Sequence, residues 1–550
     1  MAEPQLPGDG GADLEAVLAA VVADQFQAHP ALGRANGDHS LDGRVASAGA
    51  AARAARVATL SELRARLGSL PPPRSRDARL DWDWAGCLLE AELFDLQVRQ
   101  RWLHDPTVLL ESDSPLEVGG YLLRDYAPLP DRVGALCQQL QQSQDWIEAS
   151  LADLAPELPR PLVELARQGL AGHRHFLEAE VRPVGGELSD PQLRRRLEEA
   201  VAAGQAALER IAAELEARST HAQASAGLGA EPLLAMLRAQ EGIDLSLAQL
   251  REQADQELDR LTERRDQVLS DRFRGEDLGS ARRRMEADHF QGDNLIANTA
   301  GMLAHLRQFV EERAQVPVPE GPPCRVRDTP GFMSAWVSAA YDSVGPLESR
   351  PLPCLYYVTT PQPGWSQREV DEWLRYLNRA ALTNVSVHEV YPGHHVHTLH
   401  VLRQRADIRR FFWSSGFGEG WAHYTEQLMV EAGLAESDPL LELAQLEDAL
   451  VRACRYRNTL GLHAEGWSVE DGTRLFMDRA GIDELPARRE SSRGTFDPLY
   501  LVYTLGKLRI LHWRERWLTE GRGDLRQFHQ RVLGAGSPPL GALERWLATD

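Results

Sequence analysis

The sequence predicts a large, mainly helical protein with a small β element just upstream of its chemistry. Three observations predict it. Apolar residues recur at three- and four-residue spacing through most of the 550 residues, the period of a helix with one buried face. One stretch, residues 354–360 (CLYYVTT), is dense in β-branched and aromatic side chains and bounded by prolines, which marks a strand. Ahead of it lies VPVPEGPPCRVRDTPG (316–331), whose prolines cannot occupy a helix interior.

Taken in order, the periodicity predicts helices over 13–28, 53–69, 82–101, 131–153, 159–178 and 190–217. The small, polar, Gly-containing run 219–232 reads as a connection, and further helices follow at 246–272 and 293–315. The proline-rich segment is a candidate boundary. It separates an N-terminal helical region, 1–315, from a catalytic region, 316–550, which together could also make one continuous fold. After the strand, helices are expected at about 366–380, 381–402, 417–433, 438–463, 468–479, 498–519 and 541–548. No repeat of fixed period is visible, so a solenoid is not expected.

Composition narrows the function. Apolar residues are 43% and charged residues 26%, so the chain can bury a large core. A formal charge of -21 repels phosphate backbones and anionic lipid, which argues against nucleic-acid and membrane partners. Nowhere do 18 apolar residues run together, as a membrane span needs. Five scattered cysteines without a CxxC pair make neither a disulfide framework nor a thiolate zinc site. The N-terminus lacks the basic segment of a signal peptide, so a cytoplasmic location is expected. No GxSxG, GxGxxG or P-loop motif occurs, which speaks against a serine hydrolase or a nucleotide cofactor.

Five of the 17 histidines fall between 388 and 400, around His388-Glu389-Val390-Tyr391-Pro392-Gly393-His394-His395. Zinc hydrolases place a His-Glu pair and a second histidine on one helix: the imidazoles bind the ion and the glutamate takes a proton from the activated water. In the usual spacing the second histidine is at i+4, but here i+4 is Pro392. On an unbroken helix His394 and His395 would sit about 9 and 10.5 Å from His388 along the axis, too far to share an ion. Pro392 and Gly393 allow a bulge. The smaller bulge brings His394 to the i+4 place; the larger one brings His395 there.

Such a site needs a third ligand. Gly418-Glu419-Gly420-Trp421-Ala422-His423-Tyr424-Thr425-Glu426 supplies it, with Glu419 opening an amphipathic helix 31 positions after His388. Glu426 lies two turns on, nearly on the same face, suited to accepting a ring N–H from a ligand histidine. Trp421 and Tyr424 would pack or line a pocket, and His423 flanks them.

These two motifs, HExxPGHH and EGWAxYxE, resemble the bacterial family called domain of unknown function 885, which is itself similar in pattern to the gluzincin-type zinc metallopeptidases. Every fixed position matches. The resemblance is strongest over about 320–520. It implies a large helical, zincin-like fold with a central cleft, one zinc ion and a hydrolase reaction. Residues 461–467 (GLHAEGW) and 503–507 (YTLGK) are also similar, although FDPLYLVY (496–503) departs from the run that usually precedes the tyrosine.

Attack of water on an amide carbonyl creates an oxyanion, for which His463 and Tyr503 are the candidate donors. Arg457 and Arg509 are candidates to hold a substrate carboxylate. If residues 354–360 formed an edge strand, an extended peptide could add to it. The leading expectation is a zinc peptidase acting on short peptides or a small amide, with His388, His394 or His395, and Glu419 as ligands and Glu389 as general base. Alternatives are a non-catalytic metal- or peptide-binding protein, a hydrolase of a non-peptide amide, and a di-iron protein. The last needs two ExxH pairs, and only Glu286 to His289 is present.

Overall fold

The computed structural model describes residues 11–218, 227–334, 337–362 and 364–548. The protein is mainly α-helical with one small three-stranded sheet. Seven of the expected N-terminal helices form as Gly11–Ala28, Ala50–Ser69, Arg76–Phe94, Arg160–Phe176, Pro191–Arg218, Leu247–Arg272 and Leu295–Phe309. The run expected as one helix over 131–153 is two, Leu129–Leu140 and Ser143–Leu151, both packed on Pro191–Arg218. Gln141 and Gln142 fall at the break, where no apolar side chain holds the turn to the core. Part of the expected connection 219–232, namely 219–226, lies outside the described residues; its last three positions already belong to a helix, Ala230–Glu241.

The largest hydrophobic core draws on both sides of residue 316: Leu233, Leu250 and Leu303 pack with Trp421, Leu505 and Leu543. A second core gathers the helices from 129 to 218, and a third joins Leu247–Arg272 to Pro439–Ala464 through Leu258, Leu261, Leu443 and Leu450. Each such leucine, fully buried, contributes roughly 1.5–3 kcal/mol.

The N-terminal helices are tied down by a charged cluster. His29 bonds Asp113 at 2.7 Å and Glu92 at 3.2 Å, and Arg56 bonds Glu92. Burial works against a charge on His29, but the two carboxylates lift its pKa to about 10. A raised folded-state pKa stabilises fully below the unfolded value of 6.5, and that contribution fades as pH climbs toward 10. His29→Asn should therefore lower Tm most at pH 6, with the gap to wild type closing by pH 10, as thermal melts across that range would read.

The sheet comprises β1 (Cys324–Asp328), β2 (Ala339–Asp342) and β3 (Cys354–Val358) in the order β1-β3-β2. β3 is parallel to β1 and antiparallel to β2. Residues 354–358 thus form the fully buried central strand rather than an edge, with both sides hydrogen-bonded, so no peptide can add to it. β2 is an edge strand, and it faces the histidine motif.

The helix expected over 381–402 is divided. Arg379–Glu389, the first histidine helix, stops at Glu389, and His394–Val401, the second, starts at His394. Asn378 caps the first through a bond from Ala381 N–H at 2.9 Å. Pro392 and Gly393 form the elbow between them. The glutamate helix, Ser415–Glu431, and the tyrosine helix, Val502–Thr519, cross with backbones in contact. A Cβ on Gly506 would lie 2.0 Å from the Gly416 carbonyl oxygen, and one on Gly420 would lie 2.6 Å from Gly506 Cα. Only glycine permits this approach. It sets Tyr503, one turn before Gly506, beside Glu419, one turn after Gly416. Three further helices of nine residues or more, Leu278–Ala287, Glu484–Phe496 and Leu525–Leu533, lie outside the expected set.

Candidate metal centre

The elbow solves the spacing problem posed by the sequence. Because the first helix ends and the second begins at a new angle, the His388 and His394 rings meet edge to face, centroids 4.8 Å apart. Gly393 makes this possible: a Cβ there would sit 1.7 Å from the His388 carbonyl oxygen. Trp421, fully buried on the glutamate helix, braces the elbow by donating its indole N–H to the Pro392 carbonyl at 3.0 Å. Gly393→Ala should force the two histidines apart and weaken zinc binding by at least about tenfold. Zinc titration checks this, with a thermal melt to show that the protein still folds.

Glu419 completes a triad. Its Oε2 lies 3.4 Å from His388 Nε2 and 3.6 Å from His394 Nε2. Among the described residues, His388, His394 and Glu419 form the one group of three or more such side chains with ligand atoms within 4.8 Å of one another. A tetrahedral zinc with bonds of 2.0–2.1 Å separates its ligand atoms by about 3.3 Å. The donor set, two imidazoles and a carboxylate, and the two N···O separations both fit that ion. Burial raises the pKa of Glu419, but His394 and His388 outweigh it and hold the carboxylate well below its usual range.

Glu426 orients the triad. It accepts the His388 Nδ1–H at 2.7 Å, so that Nε2, on the Glu419 side, is the nitrogen that could offer a lone pair to a metal. Glu426 is itself held by Arg452 at 3.0 Å and by the Asn384 side-chain amide at 3.2 Å. Asn384 also bonds Asp448 at 2.6 Å. Burial opposes charge on His388, yet Glu419 and Glu426 together lift its pKa to about 9.

Glu389, next to His388 at the helix end, is half-buried and points one oxygen at β2, where Oε2 accepts the Tyr341 backbone N–H at 2.9 Å. The other oxygen remains available to a proton donor. Burial, aided by the like charge of Glu419, raises its pKa against the pull of His394 and His388. Tyr341 also bonds His395 Nδ1 at 3.2 Å through its hydroxyl. His395 is thereby turned away from the triad, and burial together with Arg307 lowers its pKa to about 4. The elbow thus selects His394, the smaller bulge, for the cluster.

A family model described as "Bacterial protein of unknown function (DUF885)" matches residues 30–547. The chain belongs to this family. Two solved structures share its fold. One, from Shewanella oneidensis, is 20% identical with a TM-score of 0.79, over 98% of this chain and all of that one. The other, from Colwellia psychrerythraea, is 17% identical with a TM-score of 0.82, over 98% of each. Both are named "putative lipoprotein", the first "of unknown function". None of the curated proteins matches.

The remaining candidates of this DUF885 member divide by position. Tyr503 is half-buried beside the triad: burial and then the negative charge of Glu419 push its hydroxyl pKa up. His463 is not available to an oxyanion. Its Nε2–H donates to the Gly494 carbonyl at 2.7 Å and its Nδ1 accepts from Leu228 N–H at 3.4 Å, so both nitrogens serve the backbone. Arg457 is paired with Glu465 at 2.9 Å and Asp255 at 3.3 Å, and Arg509 with Glu544 at 3.2 Å; each already has a carboxylate partner of its own. Tyr424 is core, its hydroxyl bonded to His529 Nε2 at 2.8 Å. His423 is fully buried, where burial first and then Lys507 and Arg452 push its pKa well down.

Apolar spacing did not reveal Tyr341, Asn384, Arg452 or Trp413. Asn384 was the most accessible of them, standing one turn before His388 on its own helix. Trp413 is 43% exposed, with its ring 5.7 Å from that of His394, and offers solvent a flat apolar surface beside the triad.

Proposed function

We propose that this protein is a zinc-dependent hydrolase of the gluzincin type, acting on short peptides. The observation that carries the reading is the convergence of His388 Nε2, His394 Nε2 and Glu419 Oε2 at tetrahedral spacing with Glu389 beside them. A buried structural zinc would need four protein ligands; three ligands and an adjoining carboxylate suit a site that leaves one position to water or substrate.

Zinc held by the triad supplies a Lewis acid that acidifies water and polarises an amide carbonyl. Glu389 accepts the proton of the attacking water and passes it to the leaving nitrogen, one oxygen steadied by Tyr341 N–H throughout. Glu426 keeps His388 in the required tautomer. Tyr503, half-buried and within electrostatic reach of Glu419, donates to the developing oxyanion. Trp413 gives an apolar side chain of the substrate a surface to rest on.

Mass spectrometry of the purified protein tests the reading, paired with hydrolysis of a mixed short-peptide library. The expected result is about one zinc per chain and cleavage that stops with chelator and returns with zinc. Failure to take up zinc on titration would overturn it. We further place the chain in the cytoplasm on its five unpaired cysteines. Cell fractionation decides this, because the two solved neighbours are named "putative lipoprotein".

A further inference from the structure

The wall beyond Tyr503 is built from arginines and tyrosines. Arg455, on the Pro439–Ala464 helix, and Arg493, in the last turn of Glu484–Phe496, flank the ring of Tyr500, with Cζ atoms 4.4 and 4.5 Å from its centroid. Tyr500 meets Tyr503 edge to face at 5.7 Å, and Arg455 also lies 5.7 Å from the Tyr503 ring. Tyr503 thus stands between the metal triad on one side and this arginine wall on the other. Its electrostatic neighbours are Glu419, Arg493, Arg455 and Asp497.

The cations of this wall are not equivalent. Arg455 is spent on a two-pronged pair with Glu490, at 2.7 and 2.9 Å, and Glu490 also accepts the Tyr500 hydroxyl at 2.9 Å. Arg99 is spent on the Phe496 carbonyl at 3.1 Å and on Asp95 at 3.5 Å. The Arg493 side chain makes no hydrogen bond or ion pair among the described residues, although it is held in place by the Tyr500 face and open to solvent. Asp497, one turn on, and Glu490 both lie within electrostatic reach of Arg493, but neither forms an ion pair with it. An exposed arginine fixed over an aromatic ring keeps its fork pre-organised while leaving its N–H donors free. That combination suits a carboxylate.

We propose that Arg493 is a specificity-determining residue that binds the free C-terminal carboxylate of the peptide whose scissile bond lies at the His388, His394 and Glu419 centre. The proposal rests on the peptidase reading and deepens it: the preferred substrates would be short peptides with an unblocked C-terminus, cleaved near that end. Tyr503, an electrostatic neighbour of both Glu419 and Arg493, would mark the span between the scissile carbonyl and the terminal anion. The same fork could also take an acidic side chain, so the test separates the two sources.

The experiment reads binding rather than turnover. Zinc-loaded protein carrying Glu389→Gln, which should bind without cleaving, is titrated calorimetrically with three probes: an alanine tripeptide as free acid, the same peptide as C-terminal amide, and a tripeptide amide ending in glutamate. The expected result is binding of the acid about 10–100-fold tighter than either amide, the loss for a charge-assisted bidentate contact. Adding Arg493→Gln should erase that preference, and Arg493→Lys should restore part of it. Equal binding of acid and amide to the protein with Arg493 intact would overturn the proposal, whatever the Arg493 variants do. Tight binding of the glutamate amide alone would overturn the assignment to the terminus. A wild-type protein that cleaves peptides yet binds acid and amide equally sinks only this inference. One that prefers the acid but cleaves nothing sinks only the peptidase reading.

Discussion

Glu419→Ala should leave the protein folded and strip it of its zinc, from about one ion per chain to less than a tenth as purified. The carboxylate is 21% exposed and contacts the two histidines but no distant element, so its removal opens little space in the core. Two imidazoles remain, and two nitrogens do not hold a divalent ion against solvent when three ligands are the minimum for a site of this type. Glu426→Gln gives the contrast. Glutamine keeps the shape and can still accept from His388 Nδ1, so zinc should bind but about 10–100-fold more weakly, as expected when an outer hydrogen-bond partner loses its charge. Glu426→Ala is a poorer probe, because it would leave Arg452 buried without its carboxylate and cost several kcal/mol of stability. Metal analysis and zinc titration of both variants, with melting curves, separate the two roles. Equal zinc content in wild type and Glu419→Ala would refute the triad.

The contrast also shows which parts of the molecule could be read from the chain. The helical architecture and the position of the β element were legible because a long helix that buries one face must repeat its apolar residues with the helical period, and a buried strand must be dense in β-branched and aromatic side chains. Glu484–Phe496 was not, because its buried face is Ala487, Ser491, Gly494 and Thr495. Small residues let it lie close against Asn458 on the neighbouring helix, and small residues carry no hydrophobic period. The helix that bears Arg493 was therefore invisible to the pattern. At the site, His388, His394, Glu419 and Glu426 could be nominated because a metal site would constrain their spacing along the chain, which the fold divides among three helices. The roles given to Arg457 and Arg509 had no such constraint. What occupies an arginine is decided by whichever carboxylate folding brings to it, and Glu544 lies 35 positions from Arg509. Likewise Tyr341 reaches Glu389 only because β2 is the edge strand next to the elbow, a fact of topology.

Glu389→Gln should behave in the opposite way to Glu419→Ala: full zinc, intact fold, and peptide hydrolysis reduced by about 10²–10⁴-fold, the usual contribution of a positioned general base. The expectation follows from where the side chain stands. One carboxylate oxygen accepts the Tyr341 N–H, and glutamine's carbonyl can keep that bond, so the backbone geometry of β2 and the helix end survives. What glutamine cannot do is accept a proton. Glu389 is not one of the three grouped ligand side chains, so the variant should still take up about one zinc per chain. The two variants thus divide the site into a part that holds the ion and a part that uses it. A Glu389→Gln protein that loses zinc would make Glu389 a ligand, and one that keeps its full rate would move the base elsewhere.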